Sequence, residues 1–170
     1  MLEIRDAAPE DGDAIAEINA AGWRAAYVGL IERDRLANLP VKAWAREIRG
    51  NLEELSVGSI SLVAELDGRI AGSCFVIGTA RDGDLPDEVA ELVAIYVDPP
   101  RWRQGIGTAL LRESLARTAR QGKAEISLWT LSGNDAAQAF YERHGFEPDG
   151  AEQIHPVARA PAFRMRRPLS

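Results

Sequence analysis

A strand, a turn holding two glycines and a helix follow one another over residues 89–121, and this segment constrains the fold more than any other. Val89–Val97 is an apolar run suited to a buried strand, closed by Asp98-Pro99-Pro100. From Gly105 to Gln121 the apolar residues Ile106, Leu110, Leu111 and Leu115 recur at helical spacing, and Gly122 stops the pattern. A strand that feeds a helix in this way places the helix on the face of a sheet. In the turn, Gly105 and Gly107 let the backbone approach a ligand, and the N–H groups of Gln104, Gly105, Ile106, Gly107 and Thr108 point outward. Unpaired N–H groups and the helix dipole together make an anion site, with Arg101 and Arg103 beside it as phosphate partners. The dinucleotide fingerprint fails because Leu110 stands at its third glycine, and no Gly-Lys-Ser/Thr marks a nucleotide P-loop. On this segment alone, an ordinary strand–helix turn is the competing reading.

The rest of the chain supplies strands and helices to match. Residues 2–5 alternate as a first strand, and Pro9 opens a helical pattern through Ile15, Ile18, Gly22 and Trp23 to about Tyr27. A second helical stretch runs over about 32–55 and is interrupted at Pro40. Strands over 60–66 and 69–78 are joined by Asp67-Gly68, a two-residue connection that makes a tight hairpin. Residues 81–88 are an acidic loop, expected to be solvated, with attraction for a cationic amine as the alternative. Residues 125–130 form a strand, 134–144 a helix capped by Gly145 with Phe146 as its apolar contact, and 163–166 a last strand. Hairpins first and βαβα later predict a mixed α/β sheet with helices on its faces.

Length and composition fit one self-contained domain. A chain of 170 residues, 46% apolar and 27% charged, buries roughly 70% of its unfolded surface. The single cysteine, Cys74, lies in an apolar run and rules out a disulfide framework or a Cys-cluster zinc site, and two histidines are too few for a His-based metal centre. No metal is therefore expected. A net charge of −6 argues against nucleic acid as the partner. No apolar run approaches the ~20 residues of a membrane span, and the acidic N-terminal stretch does not read as a signal peptide. A cytoplasmic location is expected.

Two motifs together resemble the GNAT (Gcn5-related) acetyltransferase superfamily. The first is Val97-x-Pro99 followed by Gly105-x-Gly107; the second is Leu128-Trp-Thr-Leu-Ser-Gly-Asn134-x-x-Ala137-x-x-Phe140-Tyr141-x-x-x-Gly145-Phe146. They come in the family's order, one helix and one strand apart, and the likeness covers about Glu91 to Gly150. One departure stands out: the family's Arg/Gln position before the glycines is Trp102 here, with arginine on either side. Residues 20–31, Ala-Ala-Gly-Trp23-Arg-Ala-Ala-Tyr27-Val-Gly-Leu-Ile, also resemble a stretch common in small bacterial members.

The resemblance implies a mostly antiparallel mixed sheet with a splayed strand pair at an acetyl-CoA site. It implies backbone contacts from Ile95, Tyr96 and Val97 to the pantetheine arm, with backbone N–H groups there serving as an oxyanion site. The turn, Arg103 to Thr108, takes the pyrophosphate. Asn134 contacts the cofactor or merely caps its helix. Tyr141 is the general acid that protonates the departing thiolate, since a phenol is protonated at neutral pH; a core tyrosine is the alternative. Glu91, at the start of its strand, is the base for the amine or else a solvated charge. Trp23 and Tyr27 wall the acceptor pocket or belong to the core. His144 serves a helix C-terminus, and His155 lies near the acceptor cleft. The acceptor implied is a primary amine of a small molecule or peptide, and homodimers are frequent in the family. A domain that holds acyl-CoA without turnover is the rival reading.

Overall fold

The computed structural model describes residues Met1–Ser170. Seven strands form one sheet in the order β1-β2-β3-β4-β5-β7-β6. These are β1 (Leu2–Asp6), β2 (Ile60–Leu66), β3 (Arg69–Ile77), β4 (Val89–Val97), β5 (Glu125–Leu131), β6 (Glu147–Ile154) and β7 (Pro161–Pro168). Every neighbouring pair is antiparallel except β4 and β5, which are parallel and joined through a helix. The helices are α1 (Gly12–Ala26), α2 (Arg33–Ala37), α3 (Val41–Glu53), α4 (Ile106–Arg120) and α5 (Asp135–Arg143). The mixed α/β expectation holds.

Local chemistry explains most element ends. Asp67 and Gly68 both take positive φ, as a tight β2–β3 hairpin requires. Pro9 opens the first helical stretch as expected, but as a 3₁₀ turn, Pro9–Asp11, before α1 begins. Asp11 secures that turn: its carboxylate accepts the Ala8 N–H at 2.8 Å and two bonds from the Arg5 guanidinium at 2.8 and 3.1 Å. The strand β6 was not foreseen, because Pro148 and Gly150 break its pattern. It pairs with β7 around an irregularity between Pro148 and Glu152, at the sheet edge where such residues are tolerated.

The main core lies between the sheet and α4, with Leu62, Val76, Leu110, Leu111, Leu128, Phe146 and Met165 fully enclosed. On the opposite face α1 packs on β3 and β4. A smaller cluster there joins Trp23, Ile31 and Leu36 to Leu131 and Ala162. The approach of α1 depends on Gly22: a Cβ at that position would sit 2.8 Å from Cδ1 of Tyr96.

Two glycine substitutions should therefore act in opposite directions. Gly22→Ala overpacks the α1–Tyr96 contact and is expected to cost about 1–3 kcal/mol in urea denaturation. Gly50→Ala, in α3 where an added Cβ meets nothing within 4 Å, is expected to stabilise by up to about 1 kcal/mol.

Candidate active site

The sheet parts at its centre. β4 pairs with β5 only from Val89↔Glu125 to Leu92↔Leu128, although β4 runs on to Val97 and β5 to Leu131. Past that point β4 stays with β3 as far as Gly72↔Val97, and β5 stays with β7 as far as Leu131↔Ala162. The pairing of β3 with β4 shifts between Phe75 and Val76, whose partners are Ala94 and Leu92, so Val93 is the extra residue of a bulge. A bulge bends and twists its strand, and this one sits where β4 leaves β5. The gap is bordered by the facing backbones of residues 93–97 and 129–131.

The glycine turn lies beside the gap. Gly105 is not the first helical residue but the N-cap of α4, at φ +81° in the left-handed region that suits glycine. Gly107 is needed less for its backbone than expected: a Cβ there meets Phe140 and Val97 at ordinary distances of 3.5 and 3.6 Å. The first intrahelical bond runs from the Ala109 N–H to the Gly105 carbonyl at 3.0 Å, and no N–H from Arg103 to Thr108 finds a backbone acceptor. That is an anion cradle at a helix N-terminus. Trp102, at the position where arginine or glutamine was expected, donates its indole N–H to the Val97 carbonyl at 2.8 Å and so ties the turn to the end of β4.

On the same face, α5 sets Phe140 against Gly107 and Tyr141 against Phe146, with both rings packed on the main core. Asn134 does cap α5, accepting the Ala137 N–H at 3.4 Å. His144 serves the end of α5: its Nδ1 lies 2.8 Å from the Phe140 carbonyl. Burial pushes the Tyr141 phenol well up, and the nearby phenol of Tyr27 and thiol of Cys74 add to the shift. Tyr27 is the C-cap residue of α1, on the other face of the sheet.

Tyr96 was expected to matter only through its backbone, yet its side chain is the most constrained in the site. The Trp23 indole donates to its hydroxyl at 2.9 Å, the Tyr27 hydroxyl lies 3.4 Å away, and Gly22 makes room for the ring. The Ala20–Ile31 stretch thus has a physical purpose: it clamps Tyr96 from α1. Trp23 is both core and wall, since it is buried and lines the cavity on this side, whereas Tyr27 packs on the smaller cluster and does not line that cavity.

The structure removes the solvated-charge alternative for Glu91. It is the third residue of β4, 2% exposed, and not a solvated strand end. Its carboxylate accepts the Arg81 N–H at 3.0 Å and the Arg81 guanidinium at 3.3 and 2.5 Å. The acidic loop is not simply solvated either. Asp82 accepts the Trp129 indole N–H at 3.0 Å, and Asp84 takes two bonds from Arg164, at 2.8 and 2.7 Å. Arg164 is itself buried, lies over the Trp129 ring and also bonds Asp149 at 2.6 Å. His155 lies in the same cavity as Arg81 and Glu91; its Nδ1 accepts N–H bonds from Val157 and Ala158 at 3.2 and 3.1 Å. Burial, and then the charge of Arg81, lower its pKa. No group of three His, Cys, Asp or Glu side chains is arranged around a common point for a metal ion, and no helix is long and apolar enough to cross a membrane.

The fold is that of the N-acetyltransferases. The structure matches the PaiA N-acetyltransferase of Thermoplasma acidophilum, solved in complex with coenzyme A, with a TM-score of 0.76 over 99% of each chain at 21% identity. The model of the acetyltransferase (GNAT) family matches residues 23–146, and the chain belongs to that family of acyl-CoA-dependent N-acyltransferases. The spermidine N(1)-acetyltransferase of Thermoplasma acidophilum is 26% identical over 160 residues, covering 90% of this chain and 94% of the relative. The uncharacterized N-acetyltransferase MJ1207 of Methanocaldococcus jannaschii is 42% identical over 60 residues, 35% of this chain, and the match spans only 26% of that protein's length.

The three tyrosines of the chain all sit at this site, and each has its pKa raised, first by burial. A raised folded-state pKa contributes stability that is fully present below the unfolded value near 10 and is lost as pH rises through the folded values. Tyrosinate absorbance should therefore lag behind that of the urea-unfolded chain above pH 10, and the thermal midpoint should fall over the same range.

Proposed function

We propose that the chain transfers an acetyl group from acetyl-CoA to a primary amine of a small molecule or peptide, by direct attack in a ternary complex. The observation that carries this reading is the run of bare N–H groups from Arg103 to Thr108 beside the β4–β5 gap. Those groups, with the arginines flanking Trp102, would receive the pyrophosphate. The opened edge of β4 at Ile95, Tyr96 and Val97 would hold the pantetheine arm and, through its backbone N–H groups, the charge that develops on the thioester oxygen. Donors fixed in a sheet need no reorganisation when that charge appears. Asn134 has its side-chain oxygen engaged as a cap, and its amide N–H₂ would serve the cofactor.

Tyr141 is assigned the final proton transfer, from its phenol to the sulfur of the departing thiolate. Its raised pKa keeps it protonated throughout the working pH range, which suits an acid. Glu91 is assigned to position Arg81 and the start of the loop. A carboxylate already accepting three bonds from one arginine is poorly placed to take a proton directly from an amine, so water is the proposed carrier of the amine's proton.

Three variants test these assignments. Acetyl-CoA at a hundredfold over its Kd should stabilise the protein by about 2.7 kcal/mol, and Gly107→Glu, which brings bulk and negative charge to the cradle, should abolish the thermal shift. Tyr141→Phe should lower kcat about 10²-fold or more on the scale of general acids while leaving the acetyl-CoA shift intact; wild-type turnover would return Tyr141 to the core. Glu91→Gln should lower the thermal midpoint by unpairing Arg81, yet keep the shape of the kcat/KM pH profile. Loss of an acidic limb in that variant would restore Glu91 as the base.

A further inference from the structure

On the α1 and α3 side of the sheet lies a trough of about 620 Å³. It is continuous with the gap, since Leu92, Val93 and Ala94 of β4 and Trp129 of β5 form one end of it. Its outer wall is α3, whose main packing partners are α1 and the Pro9–Asp11 turn rather than the sheet. The apolar side of α3, at Trp44, Ile48 and Leu52, consequently faces open space across from Phe75 and Ile77 of β3.

We propose that this trough holds the body of the acceptor, and that the acceptor is a hydrophobic monoamine: one amino group on an apolar, preferably aromatic, body with no second charge. The proposal rests on the acetyl-transfer reading above and adds the substrate class to it.

Charge and hydrogen bonding in the lining carry the argument. Arg81 is the one cation there, and it is committed to Glu91. An amino-acid carboxylate would meet a cation whose charge Glu91 already balances. Of the two remaining acids, Asp82 accepts the Trp129 indole N–H and is paired with Arg164 at 3.7 Å, and Glu47 is exposed at the rim on α3. A second ammonium, as in a polyamine, would have only the solvent-exposed Glu47 as an unpaired counter-charge, and an exposed ion pair of that kind offsets little of the cost of placing a charge against an apolar lining. The other polar side chains of the lining carry no fixed charge: Asn19, Asn51, Ser61, Ser73, Gln153 and His155, and Ser73 already bonds Asn19 at 3.4 Å. The aromatic walls point the same way. The indole N–H groups of Trp23 and Trp129 are spent on Tyr96 and Asp82, so these rings offer the cavity apolar surface rather than donors.

The test compares 2-phenylethylamine, spermidine and glutamate as acceptors with acetyl-CoA, reading released thiol. The kcat/KM for 2-phenylethylamine is expected to exceed the others at least tenfold. Trp23, Trp44 and Trp129, three of the four tryptophans, line the trough, so 2-phenylethylamine should also quench fluorescence saturably with CoA present. Ile48→Glu places a carboxylate on the wall and should move the ratio of 2-phenylethylamine to spermidine turnover at least tenfold toward spermidine, with the acetyl-CoA thermal shift unchanged. Preference of the wild type for spermidine or glutamate overturns the proposal, and so does a lack of both quenching and turnover while acetyl-CoA still stabilises the protein. Loss of that stabilisation in the wild type would instead overturn the acetyl-transfer reading itself.

Discussion

Where β4 leaves β5 after the Leu92–Leu128 pair, two strands in the middle of a sheet give up their ladder while each keeps its other neighbour. A buried backbone group left without a partner costs about 1–3 kcal/mol, so such a gap is stable only if water or a ligand fills it. The bulge at Val93 bends β4 away, and the α1 clamp on Tyr96 holds the diverging end. Trp102 pins the last turn of β4 to the loop that follows. The remaining architecture can be read as support for keeping these two strands apart.

The gap also divides the molecule chemically. On the α4 and α5 face stand the bare helix N-terminus and the Tyr141 phenol. On the α1 and α3 face stand Tyr96, Trp23 and the apolar trough. A thioester laid between the strands would be reached by an amine from one face and by an acid from the other. Attack and leaving-group protonation would then need no rearrangement between them, and the positioning would be supplied by the sheet rather than by mobile loops.

The sequence conveyed the fold and the shape of the glycine turn well because both depend on local chemistry. The strand–turn–helix segment, the Asp67-Gly68 hairpin and the Gly145 cap are each set by residues a few positions apart, and the structure reproduces them. What escaped were contacts made across the sheet. Nothing near Glu91 in the chain announces Arg81 as its partner, and nothing near Gly22 announces the ring of Tyr96, 74 positions later. The edge strand β6 escaped for another reason: with its outer side unpaired and little of it buried, it has no need of an apolar alternation. The acidic loop looked solvated because its partner, Arg164, lies far along the chain in the last strand.

The amine's proton brings these strands of argument together. An alkyl amine with a pKa near 10.4 is less than about one part in a thousand neutral at pH 7. Glu91 and His155, on the trough face, are not free to help. Glu91 is held by Arg81, and the Nδ1 of His155 is occupied by two backbone N–H groups, which puts the proton of the neutral ring on Nε2 and makes it a donor. The trough itself can supply part of the missing free energy. Moving an ammonium out of water and into an apolar cavity disfavours its charged form and lowers its pKa, while Glu91 and Asp82, paired with Arg81 and Arg164, and Glu47, exposed to solvent at the rim, do little to oppose the shift. In the reading proposed here, the apolar lining that selects an uncharged body also biases the bound amine toward the neutral form that can attack.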